Sequence, residues 1–488
     1  MKPEYVFGLL YFGGIAFGLA CGAVLAQLAF LEASVRFRRW LLPLIPVLAW
    51  GAMAANFAAS HRSINYDRLG DTIFGDRSAA WINRGVTAFV MAISVAKIVQ
   101  VLFAKHSNRG QRLQPTLDER ANRTLFVAML AYALGSLALP MTLSQHPGFE
   151  HDGIPAVLAM CAIYVGRRES LNDFVSGAKW ILILVMVASL LTAVVASNVA
   201  VQQNYSAGWI PGLRIRLWGL TPHANALGAL ALYLILLQLL SPSPRKWVNM
   251  GTWMVVLAAL LLSQSKTNWL IGAMAGIVVV GYRSGREPGG GLRLSFVIAV
   301  LLGLAALCSL PMFFDMARVY DKFMETDTGA NLTTLTGRTE IWAAAAQMWK
   351  DSPLFGYGLG AWAPAHRIEL HLPFATHAHN QLMQALAVGG IADALPMLIY
   401  VSLLIAATFR AAARTRGVSL GLGLFFLIRC VTEAPLDFSN LTSADVVAHL
   451  VLFAIVVNEY GLERSGASAT KPIETAPSRG RLRDSFAA

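Results

Sequence analysis

Charge is scarce in this 488-residue sequence: Asp, Glu, Lys and Arg make up only 14% of it, against 56% hydrophobic residues. A water-soluble fold cannot hide that much apolar surface, so a soluble globular class is excluded. Cysteine is scarce as well. Cys21, Cys161, Cys308 and Cys430 stand singly within apolar runs, which argues against a disulfide framework or a clustered-thiolate zinc site. The chain has no P-loop, no GxGxxG fingerprint and no DxD-like nucleotide–metal motif, so a nucleotide-sugar donor is not indicated. It offers no convincing carboxylate pair for glycosidase-type acid–base work. No internal repeat is visible. No small-residue cleavage site follows a short apolar core in the first run, Tyr5 to about Leu31, which reads as a retained span and not a signal peptide.

What is there is apolar sequence in long runs, with a mean hydropathy of +0.55. The reading is an all-α polytopic integral membrane protein. Candidate spans fall near 5–31, 41–60, 85–104, 124–143, 153–166, 177–200, 224–240, 247–264, 268–283, 294–314, 383–409, 417–433 and 444–460. That is about 12 transmembrane helices from 12–13 candidates, because 153–166 is short and 268–283 marginal. The net charge of +12 is unevenly placed. Lys and Arg gather in the short loops 105–123, 167–179, 241–247, 283–293 and 410–416, the distribution that faces the cytoplasm. The charge is topological and does not point to nucleic acid. The same alternation puts 144–152, 201–223, 264–267, 315–382 and 434–443 on the outer face.

The chain therefore divides into N-terminal transmembrane helices (1–314), a large outer loop (315–382), C-terminal transmembrane helices (383–460) and a disordered cytoplasmic tail (461–488) rich in Ser, Arg, Ala and Pro. A loop as long as 315–382 is usually functional or disordered, and this one carries helical signals. In TGRTEIWAAAAQMWKDSP, Ile341, Trp342, Ala345, Met348 and Trp349 share one face. Thr339 with Glu340 makes a start and Asp351 to Pro353 a stop. Such a helix lies on the membrane surface or caps the bundle.

Polar residues at the outer ends of apolar runs are the candidates for chemistry. His377, His379 and Asn380 stand directly before the run opening at Gln381. A neutral imidazole there suits a general base, and a neighbouring amide can fix the ring or hold a substrate hydroxyl. Helix capping and a metal site are the other readings. The second is weak, since His366, His371, His377 and His379 have only Glu369 as a nearby carboxylate in sequence. Arg214 and Arg216 precede the run at Ala224, Lys266 sits in the polar turn 263–267, and Arg338 opens the amphipathic helix. Each has a bland role as an interfacial anchor, but guanidinium forks also suit phosphate oxygens. Four outer cations with one candidate base fit a diphosphate-linked lipid that presents a sugar. Arg429, inside an apolar run, has no evident role. A secondary transporter or flippase is the alternative of a different class, though it would place ionisable groups at mid-membrane and show repeats.

Three stretches resemble the O-antigen ligase family of bacterial inner-membrane glycosyltransferases, which shares its fold with O-antigen polymerases and protein O-oligosaccharyltransferases. LTGRTEIWAAAAQMWKDSPLFGYGLGAW (335–362) is similar to the family's GR-x-x-x-W…P-x-x-G-x-G-x-G segment. HAHNQLMQALAVGGI (377–391) resembles its histidine motif, and RLWGLTPHANALG (216–228) its arginine segment. The resemblance implies multi-pass insertion in the inner membrane with the active site facing the periplasm and the C-terminus cytoplasmic. It implies transfer of O-antigen from undecaprenyl diphosphate to an outer core sugar of lipid A-core. That transfer would be metal-independent, without cofactor, and inverting at the anomeric carbon. His379 would be the base with Asn380 beside it, Arg216, Arg214, Arg338 and Lys266 would bind the donor diphosphate, and His377 and Gln381 are further substrate-binding candidates. The chain departs from the pattern twice. Ser265-Lys266 stands where relatives often have Thr-Arg, and Gln381 stands where some have Glu, so no carboxylate follows His379 in sequence. A polymerase or protein O-oligosaccharyltransferase would use the same donor and differ in acceptor.

Overall fold

The computed structural model describes residues 39–60, 62, 64, 77–107, 117–205, 210, 212–284, 338–373 and 375–459. The expected spans at 5–31 and 294–314, the loop portion 315–337 and the tail 461–488 lie outside the described residues, as do Cys21 and Cys308.

The described chain is mostly helical. Its N-terminal part comprises α1 (Leu41–Ala59), α2 (Arg77–Ser107), α3 (Leu117–Ala133), a π-helical turn (Leu134–Ala138) running into α4 (Leu139–Leu143), α5 (Ile154–Val165), α6 (Leu171–Val195) and α7 (Ser197–Ala200). Two short strands, β1 (Val201–Gln202) and β2 (Arg216–Leu217), pair antiparallel with Val201 opposite Leu217. Then follow α8 (Ala224–Leu240), α9 (Lys246–Leu262), α10 (Lys266–Ser284), α11 (Arg338–Asp351), a 3-10 turn (Leu359–Trp362), α12 (Pro364–Glu369), α13 (Gln381–Ala411), α14 (Val418–Thr432) and α15 (Ala444–Val457). Among the described residues, five helical stretches are long and apolar enough to cross a membrane: 41–59, 81–101, 118–143, 171–195 and 381–411. α5, α8, α9, α14 and α15 are shorter apolar helices. Every expected span within the described residues is helical.

Apolar side chains of α1, α3, α5, α6, α8, α13, α14 and α15 form one continuous core. α8 and α15 are apolar nearly all round and almost wholly buried, as expected of helices at the centre of a bundle. Buried donors around them reach backbone oxygens: Tyr233 Oη of α8 donates to Ala448 O at 2.8 Å, and Trp50 Nε1 of α1 to Ala444 O of α15 at 3.3 Å. An unpaired donor at such depth would cost several kcal/mol.

Hydrogen bonds distinguish the two ends of the bundle. At one end Arg283 reaches Leu239 O and Arg416 O, which joins the basic ends of α10, α8 and the α13–α14 turn. At the other end the N-termini of α8, α10, α11 and α13 meet the C-terminus of α14.

One expectation needs correction in detail, and one open alternative is decided. The run 383–409 reads as one uninterrupted span, but α13 is broken at Gly390, whose φ of +63° is non-helical. The segment 353–358 fills the break. Tyr357 and Gly358 donate backbone N–H to Ala387 O and Val388 O at 2.8 and 3.0 Å, while Ile391 and Ala392 donate to Pro353 O and Leu354 O at 2.9 and 3.0 Å. The groups that a helix break orphans are thus satisfied by a neighbouring chain. Glycine is required at the closest points, because a Cβ on Gly390 would lie 2.6 Å from Leu354 backbone and one on Gly356 2.5 Å from Val388 backbone. Of the two placements open to α11, a membrane surface or a cap on the bundle, the structure shows the cap: it packs on α13. Its face of Ile341, Ala345 and Met348 is buried against Ala378, Ala387 and Val388, and Trp342 Nε1 donates to Ala378 O at 2.9 Å.

Candidate active site

Each motif residue reaches this end of the bundle by a local device. Asn380 is the N-cap of α13: its Oδ1 accepts from Leu382 N and Met383 N at 3.0 and 3.1 Å, and its Nδ2 donates to Val431 O. Of the roles open to Asn380, capping is the one these hydrogen bonds show. Gln381 is buried and accepts from Leu436 N at 2.8 Å, so it braces the 433–443 segment. His379 adopts a left-handed backbone, φ +47°, uncommon for a residue with a Cβ, and its N–H donates to His377 Nδ1 at 3.0 Å.

The side chain of His379 meets a residue that sequence reading missed. Its Nδ1 donates to Glu433 Oε2 at 2.8 Å. Glu433 is the C-cap of α14, 54 residues away, and its side chain is only 12% exposed. The missing carboxylate beside His379 is therefore supplied from elsewhere in the fold. His377 Nε2 lies 3.5 Å from the same oxygen, and Arg338 from the first turn of α11 is 3.5 Å from Oε1. Arg429 lies 3.9 Å from Oε1 and forms a two-pronged pair with Asp445, with Nε to Oδ1 at 2.8 Å. This accounts for the arginine in an apolar run. Asp445 neutralises it, and it adds positive charge behind Glu433.

Burial pushes the Glu433 carboxyl up, but the His379 hydrogen bond, Arg429 and His377 outweigh it and hold the group well below the usual carboxylate range. Burial, with the neighbouring His379, pushes His377 down, so His377 is neutral near pH 7. An ionised acceptor at Nδ1 fixes the tautomer of a neutral His379, leaving the Nε2 lone pair as base.

The arginine segment forms the second wall. Arg216 Nε donates to Ser263 O at 3.1 Å and its Nη2 to Asn225 Oδ1 at 2.7 Å, while its guanidinium lies 4.8 Å from the Tyr205 ring centre. The polar turn before α10 is a brace. Gln264 Nε2 donates to Leu213 O and Ile215 O, Ser265 Oγ to Asn225 Oδ1, and Asn268 Nδ2 to Asn225 O. Lys266 opens α10 and feels the charge of Arg216. Arg214 is exposed, one strand step from Arg216. Beneath the segment Arg62 is buried and donates to Val199 O, Thr221 O and Gly219 O.

His223 joins the two walls. It N-caps α8, and the charges of Arg216, Glu433, His379 and Arg338 all act on it. The structure thus gathers Arg216, Lys266, Arg338, His377 and His379 with the unforeseen Glu433, Arg429 and His223. His366 belongs elsewhere, stacked on Tyr357 and paired with Glu369.

His377, His379 and Glu433 also offer three ligand atoms within 4.8 Å of one another, a donor set that suits zinc. Their surroundings favour a hydrogen-bonded cluster over a dication, because Arg338 and Arg429 already face the one carboxylate.

Fold and site together define a helical membrane protein whose apolar bundle ends, among the described residues, in an imidazole–carboxylate pair flanked by arginines. Comparison with protein families adds one finding: a family model described as O-antigen ligase matches residues 251–392, less than a third of the chain, and this likeness supports a membrane enzyme of glycosyltransferase type. The matched segment holds Lys266, Arg338, His377 and His379, whereas Arg216, His223, Arg429 and Glu433 lie outside it. No curated protein matches the chain.

Proposed function

We propose that this protein transfers a glycan from a polyprenyl diphosphate to a sugar hydroxyl at the outer membrane–water interface, with His379 as general base. The His379 Nδ1–Glu433 hydrogen bond, at the site shared with Arg338 and the Arg216 wall, carries the reading. His379 Nε2 takes the proton of the acceptor hydroxyl as its oxygen attacks the anomeric carbon. The bond between that carbon and the diphosphate oxygen breaks, and the diphosphate leaves with the electron pair. Arg216 and Arg338 stabilise the charge on the leaving group, with Lys266 alongside. Glu433 holds the ring and stabilises the imidazolium. One attack from the face opposite the leaving group inverts the anomeric centre.

The resemblance supports undecaprenyl diphosphate-linked O-antigen as donor and lipid A-core as acceptor. The basic end of the bundle, with Arg283, Arg410, Arg414 and Arg416, supports a cytoplasmic opposite face and a periplasmic site in the inner membrane. Purified protein given the lipid-linked glycan and lipid A-core in EDTA should form full-length lipopolysaccharide, and His379→Ala should fold yet form none. Normal transfer by His379→Ala removes the base. Product formed only with a second donor, or only with a protein acceptor, reassigns the enzyme to polymerase or protein O-oligosaccharyltransferase.

A further inference from the structure

His223 has two nitrogens with different duties. Its Nδ1 accepts the Asn225 backbone N–H at 3.1 Å, which caps α8. With Nδ1 an acceptor, the neutral ring carries its proton on Nε2, and this N–H has no hydrogen-bond partner among the described residues. The ring is half-buried and fixed: its centre lies 4.5 Å from Trp218, and Thr221 Oγ1 donates to the His223 carbonyl at 3.0 Å. Through Asn225 it is joined to Arg216, since the residue whose N–H it caps holds the Arg216 guanidinium with its own side chain.

From this geometry we propose that His223 Nε2–H is a hydrogen-bond donor to a diphosphate oxygen of the lipid-linked substrate, between Arg216 and the His379–Glu433 pair. The inference rests on the donor class argued above. Three facts favour an anionic oxygen over the acceptor hydroxyl. The ring neighbours Arg216, it sits at the positive end of α8, and it presents a donor where the acceptor's proton needs a base. Burial and Arg216 push its ionisation down to about 3, so the ring stays neutral beside the cations and donates without changing charge.

His223→Asn separates the two duties. Asn is a strong N-cap residue whose side-chain oxygen can keep the bond to Asn225 N, but it is too short to replace Nε2. The probe is sugar-free polyprenyl diphosphate in detergent micelles, with binding and melting temperature measured on the full chain. Loss of one hydrogen bond to an anionic oxygen predicts about tenfold weaker binding at an unchanged melting temperature. His223→Gln, whose amide nitrogen reaches the Nε2 position, should recover part of the affinity. Wild-type affinity in the Asn variant, or equal losses in Asn and Gln, overturns the assignment. If the wild type itself binds no polyprenyl diphosphate, the donor class fails and not His223 alone.

Discussion

Replacing Glu433 with Gln removes one charge at nearly constant shape and tests the pair on which the mechanism depends. In the wild type the carboxylate only accepts, so His379 must place its proton on Nδ1 and leave Nε2 basic. Gln can accept or donate at that position and no longer selects the tautomer. It also removes the counter-charge to the imidazolium that forms as the acceptor loses its proton. For unit charges about 4 Å apart at an effective dielectric of about 20, that attraction is about 4 kcal/mol. The two side chains are 26% and 12% exposed, which trims the figure to roughly 3 kcal/mol. A barrier raised by that amount lowers kcat by about 10²-fold, and tautomer loss takes it toward 10³. The fold should survive, because Arg429 keeps its two bonds to Asp445. The assay is transfer from lipid-linked glycan to lipid A-core in proteoliposomes, read as a ladder on a gel, with a melting curve as control. A folded Gln variant whose kcat stays within threefold of wild type refutes the dyad.

Other consequences follow from the same geometry. Asp445→Ala strands the buried Arg429 and should cost about 3–5 kcal/mol, seen as a large drop in melting temperature. Gly390→Ala forces a Cβ against Leu354 backbone in a strained conformation; about 2–3 kcal/mol of destabilisation and loose docking of 353–358 should appear in a melting curve and in limited proteolysis. Acidification should destabilise the protein through His223 and His377. Both are depressed below the usual 6.5, so below that pH the unfolded chain binds protons the native state refuses. Each contributes up to about 1.4 kcal/mol per pH unit, hence roughly 2–4 kcal/mol together between pH 6.5 and 5. His223→Asn should about halve the resulting fall in melting temperature. Glu433 has the opposite linkage: its pairing contributes fully above about 4.5 and is lost only in strong acid, so it should not contribute to the fall above pH 5.

Sequence reading located α8, α13, α14 and α15 within a few residues because apolar runs and loop charge are local signals. It found α11 for the same reason, since two successive turns of helix bring Ile341, Ala345 and Met348 to a shared face. It also singled out His379, Arg216 and Arg338, whose placement at the ends of apolar runs is costly enough to be conspicuous. It missed Glu433 and His223. Glu433 follows an apolar run as any helix-end carboxylate does, and His223 reads as an ordinary capping residue. Gln381 drew attention as the missing acid, although the acid is present on another helix.

By itself, then, the sequence determined that the chain is helical, that it lies in a membrane, and which ends of its helices carry cations and imidazoles. Hydropathy and charge act over a few residues and need no partner to be read. Tertiary structure decided which of those groups meet. It set Glu433 against His379, paired Arg429 with Asp445, and threaded 353–358 into the break at Gly390. These contacts join residues far apart in the chain, and only packing of the helices brings them within hydrogen-bonding distance.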